Sequence, residues 1–381
     1  MPDTENKKIV GTDINQYPQK KNFSSLPFRN YEFREIKDIY KALNWLSFKL
    51  QKKNPLFYLN SFRDFDLNGV DLFHFFNVLS FGKKPWITTF ESSLPRWGEV
   101  SVPKTETGMR LLAGKSCKQI IAISECSLNI EKQLIQNQFP SFADEILPKL
   151  KIFHPVQNAS ITSMAEKNPP EDFIRFVLIG LDFFRKGGLE TLRVFDRLIV
   201  AGEAIQLVII SRMNIGDYAT HAGNSEKEEA IKLIAKHPKH ITWHKMLPNA
   251  EVLAILRDSH VGLLPTWADT YGYSVLEAQS AGCAVLSTDI RALPEINTQE
   301  TGWIIPVRKD QFGDAILMND DDRKTFSIQL ENNLEITLKS ILADPVSIQR
   351  KGVKGLERIK NLHSPELRAV EMEGIYDLAL S

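Results

Sequence analysis

Cysteine is scarce in this chain. Only Cys117, Cys126 and Cys283 occur among 381 residues. Three thiols cannot all pair and lack metal-ligand spacing, which excludes a disulfide framework and points to a reducing compartment. Long apolar runs are missing too: none approaches the roughly 18 residues of a membrane-spanning helix. The polar N-terminus MPDTENKKIVG has no signal-peptide stretch, so the expected location is cytoplasmic. Net charge is absent, with Lys plus Arg and Asp plus Glu at 47 each. No overall field therefore draws the chain toward nucleic acid or anionic lipid, and a charged ligand must be held by a local site. Internal repeats and low-complexity tracts are lacking as well.

What is present is an alternation of short apolar runs and helical stretches. The sequence predicts strands over Val70–Phe76, Trp86–Phe90, Ile120–Ile123, Phe173–Ile179, Gln206–Ile210, Val261–Leu264 and Ala284–Ser287. Helices are predicted over Leu189–Val200, Ser225–Lys236 and Asn249–Arg257. Continuous Val, Ile, Leu and Phe runs suit parallel strands covered on both faces. The class is α/β. A turn-rich segment, FHPVQNASITSMAEKNPP, places a boundary near Phe153–Pro170. The expected division is 1–155, 156–335 and a helical tail at 336–381 whose last helix returns to the first domain. In two such sheets facing across a cleft, ligands gather at the carboxyl ends of strands.

Two stretches carry candidate chemistry. PTWADTYGYSVLEAQSAG follows the strand VGLLP, with Asp269 in the loop, Gly272 beyond it and a helix from about Ser274. The unpaired N–H groups and positive end of a helix N-terminus form a ready phosphate site. The same residues, Ser274-x-x-Glu277, also read as a capping box. In FVLIGLDFFRKGGLETLRVFDRL a strand ends at Gly180, Arg185 and Lys186 lie in a loop, and a glycine pair leads into a helix. Lys186 is a point charge suited to a diphosphate, or a solvated turn residue.

Taken together, Gly180 through Gly187, then Pro265, Thr266, Asp269, Tyr271-Gly272 and Glu277-Ala278, resemble the nucleotide-binding half of family 4 retaining glycosyltransferases, which have the GT-B fold. The likeness runs through Ala281-Gly282, Pro294-Glu295 and Thr301-Gly302. It implies two Rossmann-like domains and transfer of a hexose, with retention, from a nucleotide diphosphate sugar to an acceptor hydroxyl. The donor is expected to be UDP- or GDP-linked, with no permanent cofactor and no metal. The acceptor is a glycan, a lipid-linked sugar or a small molecule. By the same resemblance Glu277 takes the ribose hydroxyls, Asp269 the donor sugar, and Lys186 the diphosphate, with Arg185 nearby. Backbone around Gly272, Tyr273, Ser274 and Val275 supports the phosphates, and His244 and Met246 lie near the base. Three positions depart from the pattern. Asp269 stands where Glu is usual, Leu181 where Arg is common, and Glu91 where a His often follows a strand. A non-catalytic nucleotide- or glycan-binding protein and a sugar-nucleotide epimerase remain open on the same scaffold.

In the first half His74, in DLFHFFN, either faces donor or acceptor or is a hydrogen-bonded structural residue. Glu91 either orients an acceptor hydroxyl or is an exposed loop acid. Ser124 reads as an N-cap. His237, His240 and His244 have no fourth ligand nearby, and Asn319–Asp322 lacks the pattern of a calcium loop. KDIYKALNWLSFKLQKK is basic and amphipathic. Its face Ile39, Leu43, Leu46 and Leu50 is expected to pack on the first sheet, with peripheral association with a lipid surface as the alternative.

Overall fold

A computed structural model describes residues 7–50, 55–98 and 101–381. Residues 1–6 of the polar N-terminus and 51–53 of the basic amphipathic stretch lie outside the described residues. The chain forms two compact units, Met1–Val156 with His363–Ser381, and Gln157–Leu362.

The first unit carries β1 (Lys8–Thr12), β2 (Tyr31–Glu35), β3 (Ser61–Phe62), β4 (Leu72–Phe76), β5 (Leu79–Ser80), β6 (Trp86–Phe90), β7 (Cys117–Ala122) and β8 (Leu150–Ile152). Six of them form a sheet in the order β2-β1-β4-β6-β7-β8, and β3 pairs with β5. Every pairing in the six-stranded sheet is parallel. The central runs LFHFF and WITTF are buried along their whole length, as a parallel sheet covered on both faces requires. Phe73, Phe75, Trp86, Phe90, Met109 and Ile120 are among the core. The helix Pro365–Leu380 belongs to this unit. Its Tyr376 is fully buried, and the Tyr31 hydroxyl donates to Asp377 at 2.6 Å. Glu373 accepts the backbone N–H groups of Arg29 and Asn30 at 2.6 and 2.9 Å.

The second unit carries β9 (Ile174–Asp182), β10 (Ile205–Arg212), β11 (Ile241–His244), β12 (Val261–Leu264), β13 (Ala284–Thr288) and β14 (Gly302–Ile305), in the order β11-β10-β9-β12-β13-β14. All pairings are again parallel. The chain winds outward from β9 through β10 to β11, then crosses to the other side of β9 for β12. The strand order reverses between β9 and β12, where loops diverge and leave a crevice at the carboxyl ends. In the first unit the corresponding reversal lies between β1 and β4. Helices Asp320–Ala343 and Val346–Leu362 also belong to the second unit. Arg193 and Arg197 of the helix Gly188–Val200 pair with Glu331 and Glu335 at 2.9 and 2.7 Å.

Several local readings are resolved by partners. Asn319 caps the helix Asp320–Ala343, accepting the Asp322 N–H at 2.9 Å. Ser124 caps Glu125–Gln138 through the Ser127 N–H. The helix Ile39–Lys49 departs from the expected packing. Its buried positions are Asn44 and Ser47, whereas Leu46 and Leu50 are exposed. Asn44 donates to the Phe57 carbonyl at 3.0 Å and accepts the Phe57 N–H at 2.9 Å. Two backbone bonds of a buried amide outweigh the apolar period in choosing the inward face.

Candidate nucleotide-binding and acceptor sites

In the second unit the loops after β9 and β12 meet at the strand-order reversal. Lys186 forms an ion pair with Asp269, their side chains 12% and 13% exposed. Arg185 pairs with Asp182 and donates to the Ala268 carbonyl at 2.8 Å. The Arg185 carbonyl in turn accepts the Trp267 N–H at 2.9 Å and the Thr266 hydroxyl at 3.0 Å. These bonds lock the two loops together, so the ion pair is held by backbone and not by two long side chains alone.

Two glycines make the approach possible. Gly187 has φ +74, and a Cβ there would lie 2.0 Å from the Pro265 carbonyl oxygen. Gly272, at φ +93, caps the helix Tyr273–Ser280, and a Cβ there would lie 2.5 Å from Leu293 Cδ2. Neither position tolerates a side chain without strain. Gly180 serves more simply: its bare face lets the aliphatic stem of Lys186 lie across it.

The capping box does not form. The helix begins one residue earlier than expected, at Tyr273, so Ser274 is its second residue and the N-cap Gly272 has no side chain. The positive end of the helix thus opens beside Asp269 without a side-chain cap from its N-cap residue. Glu277 is half-buried on the same helix, as are Tyr273 and Ser274. The Tyr271 ring and Val275 are buried, so any role they have toward a ligand is through backbone or packing. His244 ends β11 beside Ile210 of β10. Met246 is exposed, and Arg212 Nη2 lies 3.0 Å from its sulfur. The sequence placed Thr266 in the motif without a role, and it missed Asp182 and Tyr218, over whose ring the Arg185 guanidinium sits at 6.0 Å. Their roles depend on loops brought together only by the fold.

The first unit places its two candidates differently. His74 is fully buried, with Nδ1 2.7 Å from the Tyr376 hydroxyl and Nε2 2.8 Å from the Thr89 hydroxyl. Its ring stacks on Phe23 at 3.6 Å. Burial pushes its pKa down to about 3. With both nitrogens engaged and no exposure, His74 has the contacts of a structural histidine that ties the last helix to β4 and β6, which removes it from the catalytic candidates. Glu91 follows β6, pairs with Arg96 and accepts from Asn77 at 3.3 Å.

Glu91 lines a cavity of about 640 Å³ at the carboxyl ends of β1, β4 and β6, together with Thr12, Gln19, Asn60, Asn77, Tyr58 and Trp45. Thr12 Oγ1 and Gln19 Oε1 are buried and have no hydrogen-bond partner among the described residues. Such atoms carry a desolvation penalty that a hydroxylated ligand would relieve. Of these lining residues the sequence singled out Glu91 as a site candidate; Asn77 and Trp45 lie in stretches quoted for other reasons, and no motif joins the rest. His237 is bonded to Asp196 and His240 to the Ile205 carbonyl. Among the described residues no group of three or more His, Cys, Asp or Glu is gathered to hold a metal ion.

Residues 176–319 match the family described as glycosyl transferases group 1. The matched span contains Gly180, Lys186, Asp269, Gly272 and Glu277. The fold of the chain is GT-B, that of solved glycosyltransferases. A glycosyltransferase from Rickettsia africae is 12% identical with TM-score 0.61, covering 99% of each chain. A sucrose-phosphate synthase from Thermosynechococcus elongatus is 13% identical with TM-score 0.58, covering 97% of this chain and 98% of that one. The Anabaena protein HepE, solved with UDP, is 10% identical with TM-score 0.59, covering 97% and 99%. At these identities the likeness concerns the fold. Curated protein sequences give no match.

Proposed function

We propose that the chain is a glycosyltransferase whose second unit binds a nucleotide diphosphate sugar and whose first unit binds the acceptor. The observation that carries this reading is the Lys186–Asp269 pair at the strand-order reversal, beside the N-terminus of Tyr273–Ser280 whose N-cap Gly272 has no side chain, inside the span that matches the group 1 family. A diphosphate at that helix end gains the backbone N–H groups and draws Lys186 away from Asp269. Asp269 then accepts hydroxyls of the sugar, and Glu277 those of the ribose. UDP is the first nucleotide to test, since HepE binds UDP and glucose; GDP is the second.

In the reaction the acceptor oxygen bonds to the anomeric carbon as the bond from that carbon to the diphosphate oxygen breaks. The acceptor proton leaves with the nucleoside diphosphate. Retention of configuration follows if the leaving phosphate takes that proton on the face it departs from. Catalysis is then positioning together with stabilisation of the leaving charge, and Glu91 orients the acceptor. The buried thiols of Cys117 and Cys283 fit work in a reducing compartment such as the cytoplasm.

The test is incubation with UDP- and GDP-hexoses and a panel of acceptors, reading released nucleoside diphosphate and the anomeric configuration of the product by NMR. Transfer with retention supports the reading, whereas an inverted product would sink the retaining half. A protein that binds UDP but releases nothing from any donor would be a binding protein on this scaffold.

A further inference from the structure

The helix Ile39–Lys49 turns Trp45, Leu46 and Phe48 outward, while Tyr40 stacks on Phe57 and Leu43 is half-buried. Trp45 is 62% exposed, Phe48 46% and Leu50 64%. Nearby Leu56, Leu59, Phe65 and Leu67 are exposed as well. A soluble protein seldom leaves so many large apolar side chains together in water without a use for them. Asp38 caps the helix and Lys41 is paired with Asp13, so the cations left on the outward face are Lys49 and, from the neighbouring segment, Arg63. Lys49 sits over the Trp45 ring at 4.9 Å, and Arg63 over Phe65 at 5.1 Å. Cations laid over exposed aromatic rings place positive charge at the depth of lipid headgroups while the rings enter the acyl boundary.

The same face opens on the polar cavity, since Trp45 and Phe48 line it together with Thr12, Gln19 and Glu91. One ligand chemistry uses both features. We propose that the helix Ile39–Lys49 docks on an anionic lipid surface and that the acceptor is an amphiphile taken from it, polar head in the cavity and apolar chain along Trp45 and Phe48. This rests on the transferase reading for the word acceptor; the docking itself does not. Attraction to anionic lipid adds to apolar insertion, so binding depends on both headgroup charge and the outward side chains.

The experiment uses the full chain and vesicles of phosphatidylcholine, alone or with about a third phosphatidylglycerol, read by co-sedimentation. Leu46 and Leu50 do not line the cavity, so Leu46→Glu/Leu50→Glu tests docking apart from the head pocket, with Trp45→Glu as a second variant. The expected result is binding to the anionic vesicles, weaker on phosphatidylcholine, and at least about tenfold weaker in both variants. UDP-induced thermal stabilisation, which reports the second unit, is measured beside it and stays unchanged in the variants. Absence of vesicle binding, or equal binding by the variants, overturns the proposal. So does a dimer in sedimentation velocity that the variants dissociate, because the face then serves a second copy. Vesicle binding without any nucleotide stabilisation upholds docking and counts against the donor site instead.

Discussion

Replacing Lys186 by Ala tests the ion pair on which the donor site depends. The variant leaves the Asp269 carboxylate, 13% exposed, without its ammonium partner. Exposed pairs are worth about 0–1 kcal/mol, and breaking a fully buried one costs about 3–5 kcal/mol. At this intermediate burial the expected loss is about 2 kcal/mol. For a domain of this size that lowers the melting temperature by about 4–8 °C. Asp269→Asn should lose a similar amount. If each charge is unfavourable only without the other, the double variant loses less than the sum, with a coupling of about 1–3 kcal/mol. The assay is urea unfolding of all four proteins, repeated with UDP and a UDP-hexose. Lys186→Ala should abolish stabilisation by UDP. Asp269→Asn should keep the UDP effect and lose the increment added by the hexose. Additive losses with coupling under about 0.5 kcal/mol, together with full UDP stabilisation of Lys186→Ala, would refute the reasoning.

Three further outcomes follow from buried groups. Gly272→Ala should destabilise by about 2–4 kcal/mol, because the new methyl meets Leu293 and the backbone stays left-handed; calorimetry checks it, and a neutral result would contradict the close approach. The His74 pKa lies at about 3, below the ordinary 6.5. Its contribution to stability is therefore present above pH 6.5 and is lost as pH falls toward 3, by up to about 1.4 kcal/mol per unit. Unfolding at several pH values should show this slope, and His74→Gln should lack it. Glu131 is the opposite case: it is fully buried, accepts the Leu94 N–H at 2.8 Å, and burial raises its pKa to about 8. Its protonated form favours the fold below about pH 4.5, and that advantage is lost as pH rises to 8. Glu131→Gln should keep the Leu94 bond and flatten the decline, and an unchanged pH profile would show that Glu131 is not its source.

Parts of this architecture were legible because they are local. Trp86–Phe90 and Val261–Leu264 are strands at their predicted limits, and Asn249–Arg257 is a helix at its predicted limits. Each is a run whose own residues decide its state. Strands β1, β2 and β14 escaped notice because KIVGT, YEFRE and GWII are short, contain Gly or charge, and gain strand character only from neighbours. The Ser274–Glu277 pattern offered a cap that Gly272 forestalled by taking the left-handed turn. Asn44 and Ser47 broke the amphipathic reading of Ile39–Lys49 because the partner of Asn44, the backbone of Phe57, is 13 residues away. The family pattern picked out Lys186 and Asp269 separately. Their pairing across 83 residues needs the strand-order reversal that brings β12 beside β9.

The most direct test of the central claim is calorimetric titration of UDP and GDP into the chain and into Glu277→Ala. Saturable binding at one site is expected for at least one of the two nucleotides. Affinity at least about tenfold lower is expected in the variant, from loss of about 1.5–3 kcal/mol of charge-assisted hydrogen bonding to the ribose. Absence of binding by either nucleotide, or equal affinity in a folded Glu277→Ala protein, would contradict a nucleotide site at the reversal between β9 and β12.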